Sequence, residues 1–130
     1  MNYATKEMRT AIQAANTRRE FATWLLADAD RLASAARLLG GDPWERRAAR
    51  VADAIASAAE PEEVESDLRA LHRLLTLEFT DDLDSPEAAL FFDVHPDDPR
   101  ADDARLCAES LERGLEALHT LRVVAIREVA

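Results

Sequence analysis

The fold of this chain is decided by its last long segment, which at residues 104–118 reads ARLCAESLERGLEAL. The apolar side chains in this segment recur at alternating steps of four and three residues, which places them on one face of an α-helix. The spacing continues to Val129, apart from a break at Arg122, and is typical of the seam between packed helices. We therefore predict a helix over about residues 100–129. The residues predicted on its buried face are Ala104, Ala108, Leu111, Leu115, Leu118, Ala125 and Val129.

An equally clear apolar stripe covers residues 4–39 and predicts one long first helix. Within it, Asn16 and Thr17 followed by Glu20 form a capping-box pattern, at which the helix could restart or kink. A single helix is the interpretation that we prefer, because the apolar spacing continues on both sides of this pattern.

Two turns separate the first helix from two shorter ones. Gly40 and Gly41 predict a left-handed helix end, and the sequence DPWE at residues 42–45 predicts a new helix with Asp42 as its N-cap. This second helix ends near Glu60, and a third begins at Pro61, with two glutamates placed favourably against its dipole. The residues predicted to be buried in the third helix are Val64, Leu68, Leu71, Leu75 and Phe79.

The connection over residues 80–99 contains three of the five prolines and is predicted to be mostly loop. Within it, the sequence SPE at residues 85–87 could start a short helix whose Leu90, Phe91 and Phe92 pack onto the other helices. The predicted fold is therefore all-α: an antiparallel four-helix bundle with long first and last helices, a short extra helix in the acidic connection, and one domain over residues 1–130.

The middle helices are shorter than the outer two, so we expect parts of the first and last helices to project beyond the bundle. Projecting apolar surface needs a partner, and a homodimer formed through these ends is the simplest one.

Composition agrees with a folded cytoplasmic helical domain. The chain contains 26 alanines and 17 leucines, both good helix formers, and 48% of its residues are hydrophobic. The first ten residues do not resemble a secretion signal, and no apolar stretch approaches the roughly 20 residues that span a bilayer. A single cysteine, Cys107, excludes an internal disulfide and lies in the apolar stripe of the last helix, where we expect a buried hydrophobe.

Charge is the most informative feature for function. The net charge is −10, but residues 1–59 carry +2 and residues 60–130 carry −12. Such a field repels phosphate, which argues against direct binding of nucleic acid or anionic membranes. It favours a protein partner, and the basic nucleic-acid-binding surface of another protein is one candidate. The alternative is that the acids only keep the domain soluble. The predicted partner-binding residues are Asp81, Asp82, Asp84, Phe91, Phe92, Asp93, Asp97, Asp98, Asp102 and Asp103.

A metal site is the competing hypothesis. Glu116 and His119 have the Glu-x-x-His spacing of carboxylate-bridged di-metal bundles, and Glu112 lies one turn earlier on the same edge. Di-metal sites take such a motif from each of two helices, whereas this chain shows one, so His72 of the third helix would have to complete a mononuclear site. A solvated helix edge explains the same residues.

Catalytic motifs are otherwise missing from the sequence. No serine lies in a strand-turn-helix elbow, and no glycine-rich phosphate loop is present. Cys107 and His119 lie twelve residues apart on one predicted helix, about 18 Å at the usual rise, so they cannot form a nucleophile and base pair. We therefore predict a non-catalytic protein-interaction module without a cofactor, such as a small regulator, inhibitor or assembly subunit. The alternative is a metal-dependent helical-bundle enzyme or metal-binding protein.

Overall fold

The structure is a computed structural model that describes residues 5–78, 84–92, 94–95 and 97–129, with the side chains of residues 92, 128 and 129 excepted. Within these ranges the chain is all-α, as predicted, and contains no strand. The predicted first helix is divided in two, and a 3₁₀ turn over Pro61–Val64 precedes the fourth helix. The helices are α1 (Lys6–Ala27), α2 (Ala29–Gly40), α3 (Asp42–Ala56), α4 (Glu65–Leu75), α5 (Pro86–Phe92) and α6 (Pro99–Val129).

The prediction of one unbroken first helix is wrong at Asp28. This residue has φ −106° and ψ 17°, outside the helical region, and it separates α1 from α2. The hydrogen bonds continue across it, because its N–H donates to the Trp24 carbonyl at 2.9 Å and its own carbonyl accepts from Leu32 at 2.8 Å. The predicted restart near Asn16 does not occur. Aspartate is a poor helix former, and this one holds Arg31 in an ion pair at 3.2 Å.

The turn between α2 and α3 depends on two glycines for different reasons. Gly41 has φ +80° and ψ −167°, an extended positive-φ conformation that glycine adopts readily and that differs from the left-handed helical conformation predicted for the helix end. Gly40 is buried at the end of α2, and a Cβ added there would lie 2.2 Å from Cδ1 of the Trp44 indole. The N-cap of α3 is Gly41 and not the predicted Asp42, which is already the first helical residue.

In the middle of the chain α3 ends at Ala56, before the predicted end near Glu60, and the helix predicted from Pro61 begins as a 3₁₀ turn. The 3₁₀ turn begins with a capping box between Glu60 and Glu63, and it leads into α4. In α4, Leu68, Leu71 and Leu75 are buried as predicted, and Leu74 joins them. Val64 is only partly buried against this core, and Phe79 lies outside the described residues.

α5 and α6 complete the fold at positions close to the predicted ones. The Ser85 hydroxyl accepts the Ala88 N–H at 3.1 Å and so starts α5. α6 runs in the opposite direction to α1 and α2, since Phe21 of α1 packs beside Gly114 while Arg31 of α2 pairs with Asp103 at 3.6 Å.

α2 lies at the centre of the molecule and contacts all five other α-helices. Its inward face contains Leu32, Ala35, Ala36 and Leu39, of which the two alanines are completely buried. Small side chains let neighbouring helices approach closely, so α2 can serve as a common packing surface. No buried polar or charged side chain interrupts the core among the described residues.

The core does not extend to the far ends of α1 and α6. Among the described residues it begins at Phe21 on α1 and ends at Leu121 on α6. Residues 6–16 of α1, which we call the α1 projection, lie beyond it, as the lengths of the predicted helices suggested. Large apolar side chains are exposed in both ends: Met8 is 53%, Ile12 58% and Ile126 63% exposed.

Candidate functional site

A mostly apolar cleft of about 360 Å³ lies between the end of α4, α5 and the first half of α6, and we call it the apolar cleft. A cleft of this size and character lies in the range of known binding pockets. Polar atoms are few in its wall and come from Thr76, Arg105, His72, Glu109 and Glu112. The apolar lining residues are Leu39, Leu75, Leu77, Phe91, Val94, Ala101, Ala104 and Ala108.

Two irregular turns form the mouth of the apolar cleft. After α4 the chain passes through Leu77, whose φ of 66° is unusual for a residue with a side chain, and whose N–H donates to the Leu74 carbonyl at 3.1 Å. After α5, the N–H of Val94 donates to the Phe91 carbonyl at 3.1 Å, which brings both side chains to the same cleft. α5 is itself fixed to α3, because the Trp44 indole donates to Glu87 at 3.0 Å.

The four residues of the metal hypothesis do come together in the fold. His72, Glu112, Glu116 and His119 all line one polar groove of about 480 Å³ between α4 and α6. This groove continues into the apolar cleft, with which it shares His72 and Glu112. Across the part of the chain that the structure describes, however, no three histidine, cysteine or acidic side chains gather closely enough to hold a metal ion.

Six of the ten predicted partner-binding residues can be placed. Asp84 is exposed, and Phe91 forms part of the cleft wall. Asp98 and Asp103 are partly buried, and Asp97 and Asp102 are exposed. Asp81, Asp82 and Asp93, together with the side chain of Phe92, lie outside the described residues.

Arginines form ion pairs with two of the placed aspartates. Both carboxylate oxygens of Asp98 accept from the Arg100 guanidinium, at 3.1 and 2.8 Å. Hydrogen bonds from this side chain, and then from the Arg100 backbone, lower the pKa of the Asp98 carboxyl. Asp103 pairs with Arg31 across the α2–α6 contact.

Four exposed acids form what we call the acidic rim: Glu109 and Glu112 line the apolar cleft, and Asp97 and Asp102 lie close in the sequence to its lining residues Val94 and Ala101. Asp97 and Asp102 form no ion pair with any described residue, while Glu109 lies 3.7 Å from Arg105, another exposed side chain. Contacts between exposed charges of this kind are weak, so the rim keeps a negative field around the apolar lining. Of the predicted acidic residues that the structure describes, Asp98 and Asp103 are therefore paired with arginines, while Asp97 and Asp102 are not.

Sequence reasoning found the acidic segment and Phe91 but missed the apolar cleft itself. Leu77 and Val94 are single apolar residues in irregular segments, and no periodic pattern distinguishes them. Arg31 as a partner of Asp103 was also missed, because the two residues are distant in the sequence and neither belongs to a motif.

Cys107 is buried in the core, as predicted. Burial first, and the nearby Asp28 carboxylate second, raise the pKa of its thiol to about 11. A thiol of this kind stays protonated and is a poor nucleophile. It does not belong to the candidate site.

No protein-family model, curated protein or solved structure matches this chain at a significant level. Function therefore has to be inferred from the site itself. Within the described ranges, no helix combines the length and the apolar character needed to cross a membrane.

Proposed function

We propose that the chain is a non-catalytic protein-interaction module that binds a basic segment of a partner protein through the apolar cleft and the acidic rim. The observation that carries the proposal is the direct juxtaposition of the two surfaces on α6. Three alanines of α6 line the cleft: Ala101, Ala104 and Ala108. Three acids lie at nearby positions of the same helix: Asp102, Glu109 and Glu112.

The two surfaces have complementary roles in binding. Apolar side chains from a partner that enter the cleft lose their contact with water, which supplies most of the affinity. The rim attracts positive charge before contact, which raises the association rate and orients the partner. A lysine- or arginine-rich segment with one or two large apolar side chains satisfies both requirements. We place this function in the cytoplasm, because the chain has one cysteine and a reducing compartment keeps its thiol free.

Site-specific crosslinking tests the proposal. A photo-crosslinking amino acid at Val94, in the cleft, should form an adduct with a particular partner in extracts of the source cell, and the same amino acid at Asp53, which is exposed on α3, should not. The yield at Val94 should fall steeply as the salt concentration rises towards about 0.5 M, because salt screens exposed charges.

Charge reversal provides the matched test of the rim. The double substitution Asp97→Lys and Asp102→Lys should abolish the adduct, whereas Asp30→Lys with Asp53→Lys changes the net charge equally at exposed sites elsewhere and should leave it intact. If Asp97→Lys and Asp102→Lys leave crosslinking unchanged, the acidic rim has no role in binding.

The second candidate function is metal binding in the polar groove. The observation in its favour is that His72, Glu112, Glu116 and His119 line the same groove, although they come from two helices. Metal analysis of the chain purified without chelator decides between the candidates. Stoichiometric iron, manganese or zinc that is lost on His119→Ala would replace the interaction proposal with the metal one.

A further inference from the structure

The α1 projection has the properties of a ligand for a site like the apolar cleft. Met8 and Ile12 are spaced by four residues, so they lie on one side of the helix, and both are more than half exposed. Arg9 borders this side of the helix, Lys6 lies nearby in the first turn, and both are exposed as well. The projection has two basic side chains, Lys6 and Arg9, and one acidic side chain, Glu7. A helix N-terminus adds partial positive charge to the same region.

The apolar cleft has the opposite charge and lies at the other end of the molecule. Its walls include Ala101 and Ala104 at the start of α6, and this part of α6 lies beside Arg31 of α2. Ile12 and Arg31 are separated by nineteen residues of nearly continuous helix, which corresponds to about 28 Å. The α1 projection therefore cannot reach the cleft of its own chain.

We propose that the apolar cleft of one molecule receives the α1 projection of a second copy. This inference rests on the proposed function of the cleft as a protein-docking site, and it names the partner. Met8 and Ile12 enter the apolar lining, and Lys6 and Arg9 face Asp97 and Asp102 of the acidic rim. Charge complementarity selects this occupant, since the exposed apolar side chains of α1 are accompanied by basic residues and the cleft by acidic ones.

The position of the two surfaces predicts the stoichiometry. The α1 projection lies at one end of the molecule and the apolar cleft at the other. When two copies lie side by side in opposite directions, the projection of each copy can therefore enter the cleft of the other. Such an arrangement has two-fold symmetry and closes on itself, so it forms a dimer and not a filament.

Sedimentation of the full chain tests this proposal. The wild type should be a dimer at tens of micromolar, and dissociation should become easier as salt is added. Met8→Ser with Ile12→Ser should raise the dissociation constant at least about tenfold, and so should Asp97→Lys with Asp102→Lys. The controls are Ile126→Ser, which removes an exposed apolar side chain from α6, and Asp30→Lys with Asp53→Lys. Both controls should leave the dissociation constant unchanged.

A mixing experiment separates this contact from any other dimer. The variant altered at Met8 and Ile12 has an intact cleft, and the variant altered at Asp97 and Asp102 has an intact projection. A mixture of the two should form mixed dimers through one remaining contact, more tightly than either variant associates alone. Introducing Lys6→Asp and Arg9→Asp together with Asp97→Lys and Asp102→Lys in one chain should restore the dimer.

Three results would overturn the proposal: a monomeric wild type at these concentrations, a dimer that is insensitive to the cleft substitutions, or variants that do not complement each other when mixed. A monomeric wild type that still crosslinks to another protein through Val94 would reject self-association and leave the proposed function standing. Loss of that crosslink as well would reject both.

Discussion

Ala58, directly after α3, is held with φ 72°, in the left-handed region that favours glycine. This conformation turns the chain back at the end of α3, so that the Ala59 N–H donates to the Ala54 carbonyl at 2.9 Å and closes the last turn. Ala58 is exposed, so its methyl group contributes little packing to offset the backbone strain.

We expect Ala58→Gly to stabilise the fold by about 0.5–1 kcal/mol, because glycine adopts the left-handed conformation without strain. The matched control is Ala49→Gly at an exposed position inside α3, which should instead cost about 1 kcal/mol. Urea denaturation of the two variants measures both changes. Equal destabilisation by both substitutions would show that Ala58 is not strained.

The Cys107 thiol should react slowly with thiol reagents in the folded protein. Its pKa of about 11 lies about two units above its ordinary value of 9.0, so at pH 8 the thiolate fraction is about 100-fold lower than in the unfolded chain. Burial slows the reaction further. The rate of colour formation with a chromogenic disulfide reagent, in buffer and in urea, measures this difference. Equal rates in the two conditions would mean that the thiol is accessible.

Glu65, at the start of α4, forms ion pairs both within α4 and with α6. Arg69 of α4 and Arg122 of α6 both donate to its carboxylate. Burial raises the pKa of Glu65, but the hydrogen bonds from Arg69 and Arg122 outweigh burial, and the net shift is downward. A carboxyl group whose folded pKa is lowered stabilises the fold above its unfolded pKa, and that contribution is lost as the pH falls through the folded value.

We therefore expect Glu65→Gln to cost about 1 kcal/mol at pH 7, since both arginines are half exposed and the pairs are partly screened. The difference from the wild type should shrink as the pH falls from 5 to about 3, where the wild-type carboxyl takes up its proton. Thermal unfolding over this pH range measures the effect, with Glu116→Gln on the exposed edge of α6 as the control. A difference that stays constant with pH would argue against the ion pairs.

The elements themselves were largely predictable from the sequence, because most of them are defined by local patterns. α6 begins one residue before the predicted start, and α5 begins at the proline that the SPE sequence indicated. The division at Asp28 was not predictable in this way, since the apolar spacing of α1 continues into α2 without a change of phase. The cleft was not predictable either, because it joins α2, α4, α5 and α6, and no local pattern encodes such a contact.

On the scale of the whole molecule, the structure divides into a packed body and an unpacked projection, and stability should reflect this division. Leu111 is completely buried, whereas Ile12 is 58% exposed. We expect Leu111→Ala to cost about 2–5 kcal/mol, since it leaves a cavity in the core. Ile12→Ala should change the unfolding free energy of the monomer by less than about 0.5 kcal/mol.

Urea denaturation at a protein concentration below that of self-association measures both changes. A large loss of stability on Ile12→Ala under those conditions would mean that the α1 projection packs against its own chain and is not available to bind a partner.

The central position of α2 has a consequence for how this protein can evolve. Ala35 and Ala36 are fully enclosed, and a larger side chain at either place would push against neighbouring helices, so the middle of the molecule has little freedom to vary. The tip of α1 and the acids beside the cleft lie away from it and can change without disturbing the packing. A lineage of this protein can therefore acquire new binding partners while its architecture stays constant.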